Sequence, residues 1–174
     1  MNPLPAVSDV RAAYCTICDP ASFLRNLRQV AARHNTHIIC FNADQLAGRI
    51  HAATAVARAV RAFDEGMTIS NTLEMEALLY AAGSRQCNIA ASFGIHEGKN
   101  RVYICCFPAH PEVWAALEPL FSFDLESRDT IDHSKSVRLM ELFGISEGEM
   151  IAAGGDDRIV DLVLERVALL QVTR

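Results

Sequence analysis

The first residues that point to chemistry are Arg85 and Gln86, which follow Gly83 and Ser84 in the chain. Serine is a favoured N-cap residue, so this spacing predicts that Arg85 and Gln86 lie in the first turn of a helix. Backbone N–H groups at a helix start bind anions, and a guanidinium matches phosphate oxygens bidentately. The run therefore predicts a phosphate pocket, in which Gln86 reads an adjacent base or sugar edge.

A second interpretation gives Arg85 a partner within the protein. Glu74 and Glu76 lie about ten residues upstream, and a surface arginine often pairs with a nearby carboxylate for less than about 1 kcal/mol. Residue types alone leave both interpretations open, because they do not reveal whether the guanidinium faces a carboxylate or a cleft.

The segment before Arg85 has the signals of a complete helix. Asn71 as N-cap and Glu74 three residues later have the spacing of a capping box, and Gly83 suits a left-handed C-cap. Between them the apolar residues recur at helical spacing. This helix would place Asn71 and Arg85 beside its two ends.

Six cysteines raise the question of a metal or redox site. Cys15 and Cys18 have the spacing of half a zinc site or of a redox dithiol, but no second CxxC or HxxxH pair accompanies them. Cys105 and Cys106 are neighbours in a predicted strand, so their side chains should point to opposite faces. We therefore predict buried structural cysteines, with no metal and no cofactor. The alternative is a thiol- or metal-dependent enzyme that uses Cys15 and Cys18.

The common catalytic signatures are missing from the sequence. It contains no GxSxG elbow, P-loop, dinucleotide glycine fingerprint or HExxH pair, and its six histidines are scattered. These absences favour a binding protein over an enzyme, and we predict no catalytic residue.

Hydrophobic periodicity predicts a single α+β domain with a small sheet of about four short strands and about seven helices. A tail over residues 1–9 would precede one domain over residues 10–174. Strands are expected over 10–17, 37–41 and 101–107, with 121–125 ambiguous between strand and loop. Helices are expected over 21–34, from Asn42 or Asp44 to residue 63, over 71–83, from Ser84, over 111–120, 134–143 and 146–153, and from Arg158 with Asp156 as cap.

The last helix carries more apolar residues than one face can bury. Val160, Val163, Leu164, Val167 and Leu170 are prominent among them. One interpretation buries them inside the domain or turns residues 168–172 into a final strand, and the other makes the helix half core and half protein interface.

Charge is unevenly distributed along the chain. The net charge is −5, but residues 1–101 carry 10 Lys/Arg against 8 Asp/Glu, whereas residues 102–174 carry 6 against 13. RNA contacts are therefore expected in the first part, around the basic residues Arg49, His51, Arg58, Arg61, Arg85, Lys99 and Arg101. A patch of so few cations suits a single-stranded end better than a duplex.

Size and hydropathy predict a single soluble domain. With 174 residues, 51% of them hydrophobic, the chain can bury a core. No apolar run approaches the roughly 20 residues of a membrane span, and no apolar leader begins the chain. We predict a cytoplasmic protein with no membrane association.

Several of these motifs together resemble a known family. The order is Asn42-Ala43-Asp44, an alanine-rich helix, Asn71 with Met75-Glu76, then Ala81-Ala82-Gly83-Ser84-Arg85-Gln86, a loop, a strand and a C-terminal helix. In this order the chain resembles, from about residue 10 to its end, the small adaptor subunit of the KEOPS complex, the p53-related protein kinase binding protein (TPRKB) family.

The resemblance implies a non-catalytic subunit of the machine that makes threonylcarbamoyladenosine in tRNA. Family members dock on a kinase-like ATPase subunit, which holds the threonylcarbamoyltransferase, and archaeal members bind the 3′ CCA end of tRNA. Here the resemblance implies partner binding through the last helix, with Val160, Val163, Leu164, Val167 and Leu170. It also implies RNA binding through Asn71, Arg85 and Gln86, with Arg49 and Lys99 beside them.

Overall fold

A four-stranded antiparallel sheet organises the chain, in a computed structural model that describes residues 3–7 and 9–172. The strands are β1 (Val10–Ile17), β2 (His37–Asn42), β3 (Gly98–Phe107) and β4 (Ser122–Phe123). Their order is β2-β3-β1-β4, so β3 and β1 are central and β2 is an edge strand. The sheet, together with its helices, confirms the predicted α+β class.

Eight α-helices surround the sheet in the described part of the chain. They are α1 (Pro20–Arg33), α2 (Arg49–Asp64), α3 (Leu73–Ala82), α4 (Cys87–Ala91), α5 (Pro111–Leu117), α6 (His133–Phe143), α7 (Glu147–Ala153) and α8 (Ile159–Leu169). Short 3-10 helices cover Ala43–Gln45 and Asp156–Arg158. Each of the eight helices corresponds to one of the helices expected from the sequence.

The sheet separates two hydrophobic cores. The larger one contains buried residues of α2, α3, α6 and α8 with Cys105, and the smaller one contains residues of α1 and α5 with Cys106. Adjacent residues of a strand face opposite ways, which explains why these neighbouring cysteines belong to different cores. The sequence-based prediction of opposite faces is confirmed.

Several helix starts differ from the predictions. Thr72, not Asn71, caps α3, because its hydroxyl accepts the N–H of Met75 at 3.3 Å. Asn42 caps only the 3-10 turn, through the N–H of Asp44 at 3.0 Å. A new helix, α2, then begins after Gly48. The capping-box pattern favours Asn71, but Asn71 is one residue too early for its side chain to reach the first turn.

Gly48 is required at the start of α2 for two reasons. Its φ of +95° is disfavoured for other residues, and a Cβ there would lie 3.1 Å from the Cβ of Asp129. This close approach lets the Asp129 carboxylate accept the N–H of Arg49 at 3.1 Å. A side chain 80 positions away thus supplies the cap that α2 lacks locally.

The remaining differences concern the second helix of the candidate site and the two chain ends. α4 begins at Cys87 rather than at Ser84, and residues 170–172 form a helical turn rather than a strand. α8 begins at Ile159, directly after the 3-10 helix Asp156–Arg158. Asp156 is the first residue of that 3-10 helix, and Gly155, not Asp156, is its N-cap. Of the predicted tail, residues 1, 2 and 8 lie outside the described part, as do residues 173 and 174 of the predicted domain, while Val7 packs against the larger core.

Candidate functional site

Arg85 lies in the short connection between α3 and α4. Gly83 ends α3 in the left-handed conformation, as predicted, and the Ser84 hydroxyl accepts the N–H of Gln86 at 3.1 Å. Arg85 and Gln86 therefore precede α4 instead of occupying its first turn, and α4 has only five residues. The guanidinium is exposed and forms no hydrogen bond or ion pair with any described residue.

The two glutamates considered as partners of Arg85 are engaged elsewhere. The Glu74 carboxylate lies 2.8 Å from Nδ1 of His37, and both groups are about half exposed. Glu76 is fully buried and accepts the backbone N–H groups of Ile69 and Ser70 and the Ser70 hydroxyl, at 2.8 to 3.1 Å. Neither carboxylate neutralises Arg85, so this guanidinium is available to a ligand.

Asn71 is exposed immediately after the turn that Glu76 holds, and it precedes the cap of α3. Arg85 and Gln86 follow the other end of the same helix. A ten-residue helix is about 15 Å long, so Asn71 and Arg85 cannot contact one phosphate. A site that includes both must extend along α3 and accommodate more than one nucleotide.

Lys99 and Arg49 have different environments. Lys99 is exposed at the start of β3, opposite Thr16 in the register, and its ammonium group has no hydrogen bond to a described residue. In contrast, Nη1 of Arg49 donates to Asp129 at 2.8 Å, its Nε donates to the Val10 carbonyl at 3.3 Å, and it lies over the Tyr103 ring. These contacts give Arg49 a structural role rather than a free charge.

Two other basic residues among residues 1–101, His51 and Arg58, are also not free to bind RNA. His51 is fully buried; its Nδ1 accepts the Ala47 N–H at 3.0 Å and its Nε2 donates to the Ala81 carbonyl at 2.9 Å. Burial lowers its pKa to about 4. Nη1 of Arg58 donates to Gln171 at 3.2 Å. The basic surface is therefore narrower than the composition indicates.

The apolar residues of α8 divide between the core and a flank. Val163 and Val167 are 0% exposed and Leu170 is buried, so these three pack inside the domain and cannot reach a partner. Val160 and Leu164, one turn apart, are partly exposed. Of the five residues chosen from the sequence, these two remain accessible for contact with another protein.

Helix α2 lies beside this flank. Val160 lines the same cleft as Asp129, which binds Arg49 at the start of α2, whereas Gln171 contacts Arg58 farther along α2. The two helices therefore run in the same direction. Ile50, in the first turn of α2, is 54% exposed and lies at the same end as Val160.

The cysteines lack the features of a reactive site. Cys15 is half-buried and Cys18 exposed, and both are free thiols. Burial raises the pKa of Cys15 to about 11, which disfavours the nucleophilic thiolate at neutral pH. Within residues 3–7 and 9–172, no three His, Cys, Asp or Glu side chains are grouped to hold a metal ion. Nothing in the geometry supports the thiol or metal enzyme.

The helices of the described ranges are also too short or too polar to cross a bilayer.

Comparison with known proteins is informative at the level of the family. No curated protein matches the chain. The model of one protein family, described as the kinase binding protein CGI-121, matches residues 17–171, which is nearly the whole described domain. That range includes α8 and every residue predicted to contact RNA. The chain therefore belongs to the CGI-121 family of kinase binding proteins, the family of the small KEOPS adaptor that its motifs resemble.

Proposed function

We propose that this protein is a non-catalytic subunit of a KEOPS complex that binds the kinase-like ATPase subunit and recruits tRNA through its 3′ CCA end. The observation that carries the proposal is the family match over residues 17–171. Through the kinase-like subunit the protein would associate indirectly with the threonylcarbamoyltransferase. No cofactor enters this role, which we place in the cytoplasm.

The proposed RNA surface follows α3 from end to end. Arg85 has an exposed, unneutralised guanidinium for a phosphate, and Gln86 and Asn71 offer amides for base or sugar edges. Lys99 adds a second free cation. Because Asn71 and Arg85 flank a helix about 15 Å long, the surface suits a few unpaired nucleotides better than one anion. We do not include Arg49, because Asp129 already holds its guanidinium.

The proposed kinase-binding surface is the flank of α8 with the neighbouring start of α2. Val160 and Leu164 supply partly exposed apolar side chains, and Ile50 extends the patch. Val163, Val167 and Leu170 support it from beneath, since they anchor α8 to α2, α3 and α6. An apolar helix pair of this kind is a common docking surface for another folded domain.

The proposed role is recruitment rather than chemistry. A subunit that holds the tRNA end while it is docked on the ATPase converts a second binding event into an intramolecular one. The anticodon loop would then be presented at a distant active site at a raised effective concentration.

The test of RNA recruitment is a gel shift with intact tRNA and with the same tRNA lacking its terminal CCA. We expect binding of the intact tRNA and at least tenfold weaker binding of the truncated one. Arg85→Glu should weaken binding of intact tRNA by about tenfold or more, because it removes charge-assisted hydrogen bonds and adds repulsion.

The matched control is Arg33→Glu, which makes the same charge change at an exposed arginine on α1 whose guanidinium has no hydrogen bond to a described residue. This variant should bind tRNA nearly as well as the natural protein. Equal retardation of the two tRNAs, or equal losses in the two variants, would contradict CCA-specific recruitment. Binding of the kinase-like subunit is tested separately by copurification, so either tRNA recruitment or kinase binding can be contradicted without the other.

A further inference from the structure

The edge strand β2 has backbone groups without partners. In the antiparallel pairing with β3, alternate residues of β2 direct their N–H and C=O groups toward β3 and away from it. Asn42 belongs to the outward set, because its N–H donates to the Phe93 carbonyl at 2.7 Å. Ile38 and Cys40 belong to the same set, and their outward groups form no hydrogen bond with any described residue.

A groove lies directly against this edge. One wall is α1, with Leu24, Leu27 and Ala31, and the opposite wall is α3, with Met75 and Leu78. The groove encloses about 430 Å³, and its floor includes the edge of β2. Its walls belong to the two different cores, so the plane of the sheet continues between them.

The ends of the groove are defined by polar groups. The carbonyl of Phe93 accepts the N–H of Asn42, and this hydrogen bond closes one end of the groove. Arg28 lies on the α1 lip with an exposed guanidinium that has no hydrogen bond to a described residue, and Glu74 with His37 lies on the α3 side. A ligand with an acidic group beside Arg28 is therefore favoured.

These features together describe the complement of an extended polypeptide. Two outward residues, Ile38 and Cys40, offer two N–H donors and two C=O acceptors about 7 Å apart, which is the repeat of a β-strand. A strand added in the plane of the sheet would direct successive side chains toward α1 and toward α3. Both walls are apolar, so consecutive residues of that strand should be apolar, as in a strand buried on both faces.

We propose that the β2 groove binds a short extended segment of a partner polypeptide by strand addition. The segment has about four apolar residues, preferably β-branched, with an acidic residue beside Arg28. This site is distinct from the α8 flank and from Arg85, and it does not depend on either proposed function. Because Thr72 lines the groove next to Asn71, single-stranded RNA is the competing occupant that the experiment must distinguish.

The probe is a synthetic peptide of one aspartate, four valines and one lysine, labelled with fluorescein on the lysine and titrated with the full-length protein in fluorescence polarisation. Two further peptides carry N-methyl groups on alternate valine amides, in one frame or in the complementary frame. Only one frame has its N–H groups toward β2. We expect one N-methylated peptide to bind like the parent and the other at least tenfold more weakly.

Protein variants test the same hydrogen bonds from the other side. Cys40→Pro removes an outward N–H without breaking the β2–β3 ladder, and Cys40→Val keeps it. Proline should weaken peptide binding at least tenfold, and valine should weaken it less than threefold. Should proline prevent folding, Leu24→Glu on the 37% exposed position of α1 serves instead, with the same expected loss.

Three outcomes overturn the proposal. The first is equal binding of the two N-methylated frames, and the second is Cys40→Pro, or Leu24→Glu in its place, binding the parent peptide normally. In the third, the parent peptide does not bind, whereas an RNA oligonucleotide ending in CCA binds and loses affinity with Leu24→Glu. The groove would then hold RNA rather than a polypeptide. Amide protection of Ile38 and Cys40 on adding the parent peptide, measured by hydrogen exchange, supports strand addition directly.

Discussion

The buried carboxylate of Glu76 accepts both the backbone N–H of Ser70, at 2.8 Å, and its hydroxyl, at 2.9 Å. The same carboxylate also accepts the N–H of Ile69. Glu76 thus organises the turn that presents Asn71 at the start of the proposed RNA surface. A residue of the α3 core face therefore positions a residue at the surface.

Glu76→Gln should destabilise the protein. The amide NH₂ group would face backbone donors, leaving at least one N–H of the turn unpaired against a buried side chain, and we expect a loss of about 2 kcal/mol or more in the free energy of unfolding. Urea denaturation measures this loss. Glu74→Gln is the control, because Glu74 is half exposed and its pair with His37 should contribute less than about 1 kcal/mol. Equal losses in both variants would contradict a special role for Glu76.

Arg49→Gln should affect stability rather than RNA binding. The substitution removes the bonds from the Arg49 guanidinium to Asp129 and to the Val10 carbonyl, and we expect a loss of about 1 kcal/mol. In the gel shift, tRNA affinity should change by less than about twofold. If Arg49→Gln instead reduced tRNA binding as strongly as Arg85→Gln at full stability, Arg49 would belong to the RNA surface.

His51 should make stability depend on pH. Burial lowers its pKa from 6.5 to about 4 in the folded protein, so the unfolded chain binds a proton that the folded protein rejects. Stability contributed by the neutral ring is thus present above pH 6.5 and is lost as the pH falls toward 4. The loss should reach roughly 3 kcal/mol.

Urea denaturation between about pH 7 and about pH 4.5 tests this dependence. In His51→Gln, which cannot titrate, the free energy of unfolding should be lower at pH 7 and should fall less across this range. An identical slope in the two proteins would assign the pH dependence to other groups.

Leu164→Glu should weaken binding of the kinase-like subunit. It introduces a charge on the α8 flank while Val163 and Val167 still anchor the helix, and an unpaired charge in an apolar interface should reduce affinity at least tenfold. Isothermal titration calorimetry with the purified subunit measures this. Ile151→Glu, at a 77% exposed position of α7, is the matched control and should bind normally. The reverse pattern would move the interface to α7.

The cysteines should differ sharply in reactivity. Cys18 and Cys87 are exposed, whereas Cys105 and Cys106 are buried and burial raises the pKa of each to about 12. A maleimide added to the native protein should label Cys18 and Cys87 first, and peptide mass mapping identifies the sites. Rapid labelling of Cys15 would contradict its raised pKa and revive a thiol function.

The sequence predicts the core elements well because their signals are local. The extended pattern of β1, the Gly83 stop of α3 and the opposite faces of Cys105 and Cys106 all follow from periodicity and backbone preference. The start of α2 could not be predicted in this way. Its capping group comes from Asp129, and its glycine is required by that same distant contact.

The site residues were harder to predict for a related reason. Residue types identify cations, but only tertiary structure shows that Arg49 is bound to Asp129 while Arg85 is free of both glutamates. The role of Glu76 is visible only in the structure, since a carboxylate on a helix gives no sign in the sequence of binding backbone N–H groups six and seven residues upstream. The β2 edge leaves no signal in residue types at all, because its open groups belong to the backbone.

The hydrogen bond from Asn42 to Phe93 also limits what the exposed edge of β2 can do to the protein itself. An uninterrupted edge would be a template on which copies of the chain could join into a growing sheet. The Asn42 position is already occupied, and α1 and α3 stand on the two sides of the strand, so only a single narrow segment can reach Ile38 and Cys40. The walls that would admit one extended segment thus keep the edge of a second, identical sheet from reaching β2.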